Sequence, residues 1–328
     1  MARAIRVVAP SRLHFGLVDL GGVTGRSFGG SGAMLNWPRT VVRVEPSGCV
    51  KFSSLATSNA DLESVTAAIG RMLDEYPEAT GGISIEEMPP PHCGLGSKTT
   101  LVLSCLCGLA SANGLTLSSG ELFRFSGRGG ASGVGLHGFI LGGLIADAGH
   151  PGRRIGPWLP SGVSTPPSLP LLISRIAAPS DWNVHLVNPG GEGLSGKDEV
   201  EFFEASTPLP CAEVLSALAE TWHGIVPSFA SADLGLLKIS LSNLSGIGFK
   251  RLEIKSRPES AQAIQVISSV TGCPVGMSSM GPLVFAISKK ECAGDVAAII
   301  YGICQNEGWE WLGTTSFSNG GVNIEYED

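Results

Sequence analysis

The first fifty residues alternate short apolar runs with glycine turns, a pattern typical of β-strands. The apolar runs are Ile5–Val8, Leu13–Leu20, Val41–Val44 and Val50–Phe52. Residues 60–76 then carry the apolar spacing of a helix, and Gly82–Glu86 alternates like a short strand. The pattern therefore predicts a sheet at the N-terminus, followed by the first helix.

The middle of the chain is rich in turn residues. We predict helices from about Ser97 to Asn113 and from Ser118 or Ser119 onward, then a glycine-rich turn over Gly127–Gly138 and a strand over Phe139–Asp147. Residues 149–170 hold six prolines, which indicates a linker. We therefore expect two domains, one of residues 1–165 and one of residues 166–328.

The second half mixes helices and strands without strict alternation, which predicts an α+β fold. Strands are predicted over Leu171–Ile176, Val184–Val187 and Pro282–Ser288, and a closing pair over 309–316 and 322–326. Helices are predicted over 197–206, 211–225, 230–244, 259–271 and 289–305, the first of them beginning after Ser195 as N-cap.

Composition narrows the class of protein. Hydrophobic residues make up 43% of the chain, the net charge is −7, and no run of lysine and arginine occurs, which argues against a nucleic-acid partner. None of the eight cysteines forms a C-x-x-C pair, and no apolar run approaches the ~18 residues of a membrane helix. We expect a cytoplasmic protein with reduced thiols, no zinc centre and no membrane partner.

The segment Pro90–Thr100 is a glycine-rich turn that opens an apolar helix. Glycines admit close approach of backbone N–H groups, and a helix N-terminus presents free donors, so the turn predicts a phosphate site. The alternative is an ordinary turn into a core helix. The candidate ligand-binding residues are Gly94, Leu95, Gly96, Ser97, Lys98 and Thr99, and their spacing is not that of a Walker A motif.

Charged groups elsewhere could complete such a site. Arg12 and His14 share one face of a predicted strand and suit an anionic sugar phosphate, although a solvated strand face is the alternative. Asp19 could bind Mg²⁺ or a hydroxyl, or could simply hold a turn. Arg128 could pair with a phosphate in bidentate fashion or be a surface residue in a turn.

Two further glycine-rich segments stand out. Residues 133–138 match G-x-G-x-x-G, but they precede a predicted strand instead of following one, so we do not interpret them as a dinucleotide site. In Gly276–Pro282, glycines alternate with hydroxyls, which suggests that the backbone approaches a ligand. The candidate residues there are Ser278, Ser279 and Gly281.

Three of these segments together resemble the GHMP kinase superfamily: the strand Ala9–Asp19, the loop Pro90–Thr100 and the loop Gly276–Pro282. Adding the arginine turn at 127–135 and Gly193–Gly196 makes the chain similar to the β-ribofuranosylaminobenzene 5′-phosphate synthase family. Lys98 occupies a position where such loops usually carry a small residue. The resemblance implies a ribosomal-protein-S5-domain-2-like N-terminal part and a ferredoxin-like C-terminal part.

The resemblance also implies an activity. Members of that family join phosphoribosyl pyrophosphate (PRPP) to p-aminobenzoate or 4-hydroxybenzoate in methanopterin biosynthesis, with loss of pyrophosphate and CO₂. It implies a homodimer, with Arg12, His14, Asp19 and Arg128 as catalytic residues. It also implies Mg²⁺ as cofactor, with Asp19 and Asp147 as candidate partners of the ion, either directly or through water. Within this resemblance the glycine loop would hold the pyrophosphate, and Arg12, His14 and Arg128 would supply cations for the 5′-phosphate and the carboxylate.

Two alternatives remain open at this point. An ATP-dependent small-molecule kinase would use the same glycine loop, because a phosphate cradle does not distinguish one phosphate from another. A non-catalytic protein that binds a phosphorylated ligand is the third possibility. Turnover of PRPP, or of ATP, separates the three.

Overall fold

The structure is a computed structural model that describes residues 3–54, 58–153, 157–160, 168–191, 193 and 196–327. The strands are β1 (Ala4–Asp19), β2 (Arg26–Glu45), β3 (Lys51–Ser54), β4 (Gly82–Glu87), β5 (Leu144–Asp147), β6 (His150–Pro151), β7 (Leu172–Ile176), β8 (Trp182–Asn188), β9 (Val275–Met277), β10 (Val284–Lys289), β11 (Glu310–Ser316) and β12 (Asn323–Glu327). The helices are α1 (Asn59–Leu73), α2 (Ser97–Ala112), α3 (Ser119–Ser126), α4 (Val134–Leu141), α5 (Gly196–Ser206), α6 (Cys211–Glu220), α7 (Val226–Ala230), α8 (Leu234–Ser245), α9 (Gly248–Lys255), α10 (Pro258–Thr271) and α11 (Ala293–Glu307).

The larger sheet is built around the long antiparallel pair of β1 and β2. Its order is β12-β1-β2-β4-β3, and β5 and β6 pair with the N-terminal part of β2, with β7 beyond β5. The register of β1 on β2 shifts between His14 and Gly16. Such an irregularity bends a strand and redirects its side chains, and this one lies beside the candidate site.

Helix α2 is the centre of the N-terminal core. Every residue from Thr100 to Ala110 is buried, because α2 packs against β1, β2, α1, α3 and α4 on different sides. A helix enclosed in this way is apolar all round and not amphipathic, as its sequence shows. Its first turn is therefore held rigidly at the edge of the core.

The smaller sheet is antiparallel with the order β11-β8-β10-β9. Helix α10 immediately precedes β9, and α11 connects β10 to β11, so the chain follows the β-α-β-β-α-β pattern of a ferredoxin-like unit, with additional helices between β8 and α10. The expected α+β class and the ferredoxin-like C-terminal part are confirmed.

Three of our predictions about secondary structure were wrong. Val134–Leu141, expected as turn and strand, is helix α4, and the strand begins only at Leu144. The two last strands do not pair with each other, since β11 joins β8 and β12 joins β1. Helix α9, Gly248–Lys255, was not predicted at all.

The domain boundary predicted at 165/166 lies outside the described residues, as does the N-cap predicted at Ser195. Strands β7 and β12, both from the second half, pair with β5 and β1 in the larger sheet. In the described part of the chain, no helix combines the length and apolarity needed to cross a membrane.

Candidate active site

One pocket gathers the segments that the sequence singled out. It is lined by Arg12 and His14 of β1, by the loop and first turn at 94–99, by the arginine turn at 128–135 and by the Ser279–Met280 loop. These segments are far apart in sequence, and the pairing of β1 with β2 and the docking of α2 bring them together. The pocket is therefore the candidate active site.

The start of α2 forms one wall of this pocket. Gly96 is the N-cap in a left-handed conformation (φ 74°), no side chain caps the helix, and its first turn contains no acidic residue. The first backbone N–H groups of a helix have no partner within the helix, so those of Ser97, Lys98 and Thr99 remain available. Together with the helix dipole they favour an anion in the pocket.

Arg12 is fixed against this turn. Its backbone N–H donates to Leu95 O at 3.0 Å, and its Nη1 donates to Gly94 O at 3.1 Å. Burial, with the charge of Arg128 nearby, lowers the pKa of Arg12 to about 10, so the guanidinium stays charged at neutral pH. Leu95 itself is buried in the core and contributes its carbonyl to this contact, not its side chain to the pocket.

Arg128 enters the pocket from the arginine turn at 128–135. Its Nε donates to Thr99 Oγ1 at 3.1 Å, which ties the arginine turn to the first turn of α2. Burial lowers the pKa of Arg128 as well, yet two guanidinium groups remain near each other in one pocket. Two guanidinium groups that line one pocket suit a ligand with phosphate or carboxylate groups.

Lys98 adds a third cation to the same wall. Its Nζ lies 3.8 Å from Asp61 Oδ1, and the Asp61 side chain also accepts a hydrogen bond from Ser58 Oγ at the start of α1. Lys98 keeps part of its surface accessible, with 31% of the side chain exposed, so it can reach a ligand. Asp61 also lines the pocket, and the sequence did not single it out.

His14 lines the pocket but is not one of its cations, contrary to our expectation. Burial, together with the charges of Arg12 and Lys250, holds the pKa of His14 well below its usual value. Its Nδ1 lies 3.1 Å from Ser279 Oγ. At neutral pH the imidazole is therefore a neutral hydrogen-bonding group.

The two serines of the loop Gly276–Pro282 have different roles. Ser279 lines the pocket, whereas Ser278 connects backbone segments: His14 N–H donates to its Oγ at 3.0 Å, and that hydroxyl donates to Gly94 O. Gly281 packs so closely on the glycine loop that a Cβ there would lie 2.0 Å from the carbonyl carbon of Cys93. Ser278 and Gly281 therefore position the loop without lining the pocket.

A buried ion pair behind this loop was missed by the sequence analysis. Lys250 Nζ and Glu253 Oε2 of helix α9 are 2.7 Å apart, and both side chains are almost fully buried. Lys250 also donates to Ser279 Oγ at 2.8 Å, and Glu253 Oε1 accepts the Met280 N–H at 3.1 Å. The i,i+3 spacing of opposite charges was the available signal, but α9 itself had not been predicted.

Asp19 and Asp147, the candidates for Mg²⁺, both lie outside the pocket lining and hold turns. Asp19 accepts the backbone N–H groups of Gly21, Val23 and Thr24, which lowers its pKa despite burial. Asp147 accepts from Ser132 Oγ at 2.8 Å and from the Gly149 N–H, while burial raises its pKa to about 6. Neither carboxylate is placed to reach a ligand in the pocket.

Two other features of the lining were not predicted. Glu199 on α5 faces the cations, and burial raises its pKa to about 7, against the opposing effect of Arg128. Four apolar residues of the lining belong to one hydrophobic cluster, namely Leu17, Ala131, Phe203 and Met280. An apolar wall beside a cationic one suits a ligand that joins an aromatic ring to phosphates.

The described residues contain no group of three or more histidine, cysteine, aspartate or glutamate side chains arranged to hold a metal ion. Mg²⁺ often keeps several waters and is bound through one or two carboxylates together with substrate phosphates. Asp61 at the cationic wall fits that limited role. A site of this kind would form together with the substrate.

Comparison with known proteins agrees with this geometry. Residues 63–143 match the family model for the N-terminal domain of GHMP kinases. A homoserine kinase from Cytophaga hutchinsonii shares the fold, with a TM-score of 0.69 at 15% identity over 99% of this chain and 98% of that one. At that identity the likeness concerns the fold alone.

Two curated relatives match nearly the whole chain. The β-ribofuranosylphenol 5′-phosphate synthase of Methanothermobacter thermautotrophicus is 34% identical over 89% of this chain and 92% of its own length. The protein of the same name from Archaeoglobus fulgidus is 31% identical over 98% of this chain and 99% of its own. The chain is therefore an enzyme with a GHMP-type fold, and it belongs to the β-ribofuranosylphenol 5′-phosphate synthase family.

Proposed function

We propose that this enzyme transfers the 5-phosphoribosyl group of PRPP to the ring of an aromatic acid, with release of pyrophosphate and CO₂, in tetrahydromethanopterin biosynthesis. The observation that carries the proposal is the convergence of Arg12, Lys98, Arg128 and the start of α2 on one pocket with an apolar wall. PRPP carries phosphate groups at two ends of a ribose, so it requires several cations and donors within a single site.

The pyrophosphate is assigned to the start of α2. The N–H groups of Ser97, Lys98 and Thr99, with the Lys98 ammonium, can stabilise the charge that develops as the C1′–O bond breaks. Arg12 and Arg128, which both line the pocket, are assigned to the 5′-phosphate and the carboxylate of the acceptor. Arg–phosphate and Arg–carboxylate pairs can both be bidentate, so the two arginines are chemically suited to either anion.

The acceptor is assigned to the apolar wall formed by Leu17, Phe203 and Met280. The curated relatives are named for a ribosylated phenol, which favours 4-hydroxybenzoate over p-aminobenzoate. Packing of the ring against this wall would also exclude water, which would otherwise capture the electrophilic ribose carbon.

The bond changes follow from the acceptor's structure. As pyrophosphate leaves with the electron pair of the C1′–O bond, the ring carbon that bears the carboxylate forms a bond to C1′. The para hydroxyl supplies electrons to the ring and gives its proton to a base. The carbon–carboxylate bond then breaks, its electron pair restores the aromatic ring, CO₂ departs, and the phenol regains the proton.

Glu199 is our candidate for the base. It lies in the pocket, and burial raises its pKa to about 7, which suits a group that takes up and returns a proton near neutral pH. Mg²⁺ bound with the pyrophosphate would neutralise part of its charge. Asp61 would hold that ion, mostly through water.

The test is product analysis with the purified enzyme, PRPP and Mg²⁺. We expect a C-riboside 5′-phosphate by mass spectrometry with 4-hydroxybenzoate or p-aminobenzoate, and none with benzoate, which lacks the para donor. Consumption of ATP that depends on a small alcohol, without turnover of PRPP, would instead identify a GHMP-type kinase. Tight binding of PRPP without turnover of either acid would contradict the proposed reaction.

A further inference from the structure

Three hydrogen-bond contacts join His14 to the Ser278–Ser279 loop. Its N–H donates to Ser278 Oγ at 3.0 Å, its carbonyl accepts the Ser279 N–H at 3.1 Å, and its Nδ1 lies 3.1 Å from Ser279 Oγ. The imidazole thus has one nitrogen engaged in the protein. No partner for the other nitrogen, Nε2, occurs among the described residues, and the side chain lines the pocket.

The proton on the His14–Ser279 hydrogen bond can be assigned from the neighbours of Ser279. Lys250 Nζ has three hydrogens and three acceptors: Met277 O at 3.1 Å, Ser279 Oγ at 2.8 Å and Glu253 Oε2 at 2.7 Å. Ser279 Oγ therefore accepts from Lys250, and its own hydrogen remains to be donated.

Two acceptors compete for that hydrogen. His14 Nδ1 is 3.1 Å from Ser279 Oγ, whereas Glu253 Oε2 is 3.4 Å away and already accepts from Lys250. An O–H···O bond normally measures about 2.7–2.8 Å, so the contact with Glu253 is long. The geometry favours donation from Ser279 to His14 Nδ1.

We infer that Lys250, Glu253 and Ser279 are positioning residues that fix His14 as the Nε2–H tautomer, so that His14 presents an N–H donor to an oxygen anion of the ligand. The identity of that anion, a phosphate or carboxylate oxygen, rests on the proposed function. The tautomer does not, because it is set by contacts within the protein. In this state His14 binds the ligand as a neutral donor and does not act as a base.

The first test is NMR of the whole protein labelled with ¹⁵N in its histidine rings, without any substrate. Long-range ¹H–¹⁵N spectra distinguish the nitrogens, because Nε2 couples to both ring protons and Nδ1 strongly to only one. The His14 signals are assigned by their loss in His14→Gln. We expect an unprotonated Nδ1 and a protonated Nε2, and a protonated Nδ1 would overturn the inference.

The variants separate positioning from general packing. Ser279→Ala keeps the backbone bond to His14 but removes the hydroxyl that holds Nδ1, so we expect a mixture of the two tautomers. Ser288→Ala is the matched control: Ser288 Oγ lies 2.9 Å from Nε2 of the buried His185 in the other sheet. It should shift the His185 signals and leave those of His14 unchanged. An unchanged His14 tautomer in Ser279→Ala would contradict the positioning role.

Whether His14 donates to the ligand is tested separately with inorganic pyrophosphate plus Mg²⁺, with ribose 5-phosphate and with 4-hydroxybenzoate, which together carry the three kinds of anion. We expect at least one of these to shift the His14 Nε2–H resonance at saturation. If none does, His14 does not donate to the ligand. An Nε2–H tautomer in a protein that fails the PRPP assay would refute the proposed function and leave the positioning inference standing.

Discussion

The side chain of Arg12 lies directly against Gly96, so that a Cβ on Gly96 would sit 2.8 Å from Arg12 Cγ. Two parts of the anion site, the first turn of α2 and the guanidinium from β1, therefore depend on one missing side chain. A Cβ on residue 96 would therefore come closer to Arg12 than ordinary van der Waals packing allows, and only glycine fits at this position.

Gly96→Ala should weaken the binding of pyrophosphate about tenfold or more, because it displaces Arg12 and strains a backbone with φ near 74°. Gly114→Ala is the matched control at the other end of α2, since Gly114 also has a positive φ (70°) but nothing within 4 Å of its Cβ position. Both variants should lose roughly 1–2 kcal/mol of stability from the backbone strain. Titration calorimetry with pyrophosphate should separate them, and equal affinities would refute the role of the Arg12–Gly96 contact.

Lys98→Ala should raise the Kd for PRPP about 10- to 100-fold, the usual effect of removing one charge-assisted hydrogen bond. The fold should be unaffected, because the side chain is partly exposed. Lys98→Arg should recover part of the affinity, and Lys238→Ala, which removes an exposed lysine from α8, should have no effect. Unchanged affinity in Lys98→Ala would exclude the lysine from the pyrophosphate site.

Glu199→Gln should lower kcat and abolish its dependence on pH near neutrality. If Glu199 is the base, only its ionised form is active, so wild-type kcat should rise with pH and level off above a pKa of about 7. The neighbouring Glu201 on the same helix is exposed and paired with Lys197, so Glu201→Gln should keep the wild-type profile. If kcat of Glu199→Gln still rises with pH near neutrality, the base is another group.

His14 should make the protein less stable in acid. Its pKa is well below the usual value in the folded state, so below about pH 6.5 the unfolded chain binds more protons than the folded one. Stability from this group is present above that pH and falls by up to about 1.4 kcal/mol per pH unit below it. Urea unfolding between about pH 5 and pH 7.5 should show a shallower loss for His14→Gln than for the control His223→Gln, since His223 is exposed. Identical slopes would contradict the buried neutral state.

The sequence predicted the glycine loop and Arg12 because their function depends on local chemistry. A glycine N-cap, an uncapped first turn and a strand that alternates its side chains are visible in short windows. Asp19 shows the limit of that approach. A carboxylate near a glycine turn can bind a metal or the backbone, and only the fold showed that its oxygens accept three N–H groups of residues 21–24.

Helix α4 and the Lys250–Glu253 pair could not be predicted for a different reason. Glycines disfavour a helix, so Val134–Leu141 looked like turn and strand, yet a Cβ on Gly138 would lie 2.3 Å from Met34 Sδ of β2. Close packing on the sheet, and not local propensity, determines that helix. Similarly, Lys250 and Glu253 are polar residues in a polar-looking segment, and their burial follows from the docking of α9 behind the Ser279 loop.

The central claim is that one pocket couples loss of pyrophosphate from PRPP to decarboxylation of an aromatic acid. The most direct measurement uses 4-hydroxybenzoate labelled in its carboxyl carbon, with PRPP and Mg²⁺, and follows labelled CO₂ and pyrophosphate together. We predict equal amounts of the two products, and the loss of both when either substrate is omitted. Pyrophosphate without labelled CO₂, or release of neither by the folded protein, would contradict the claim.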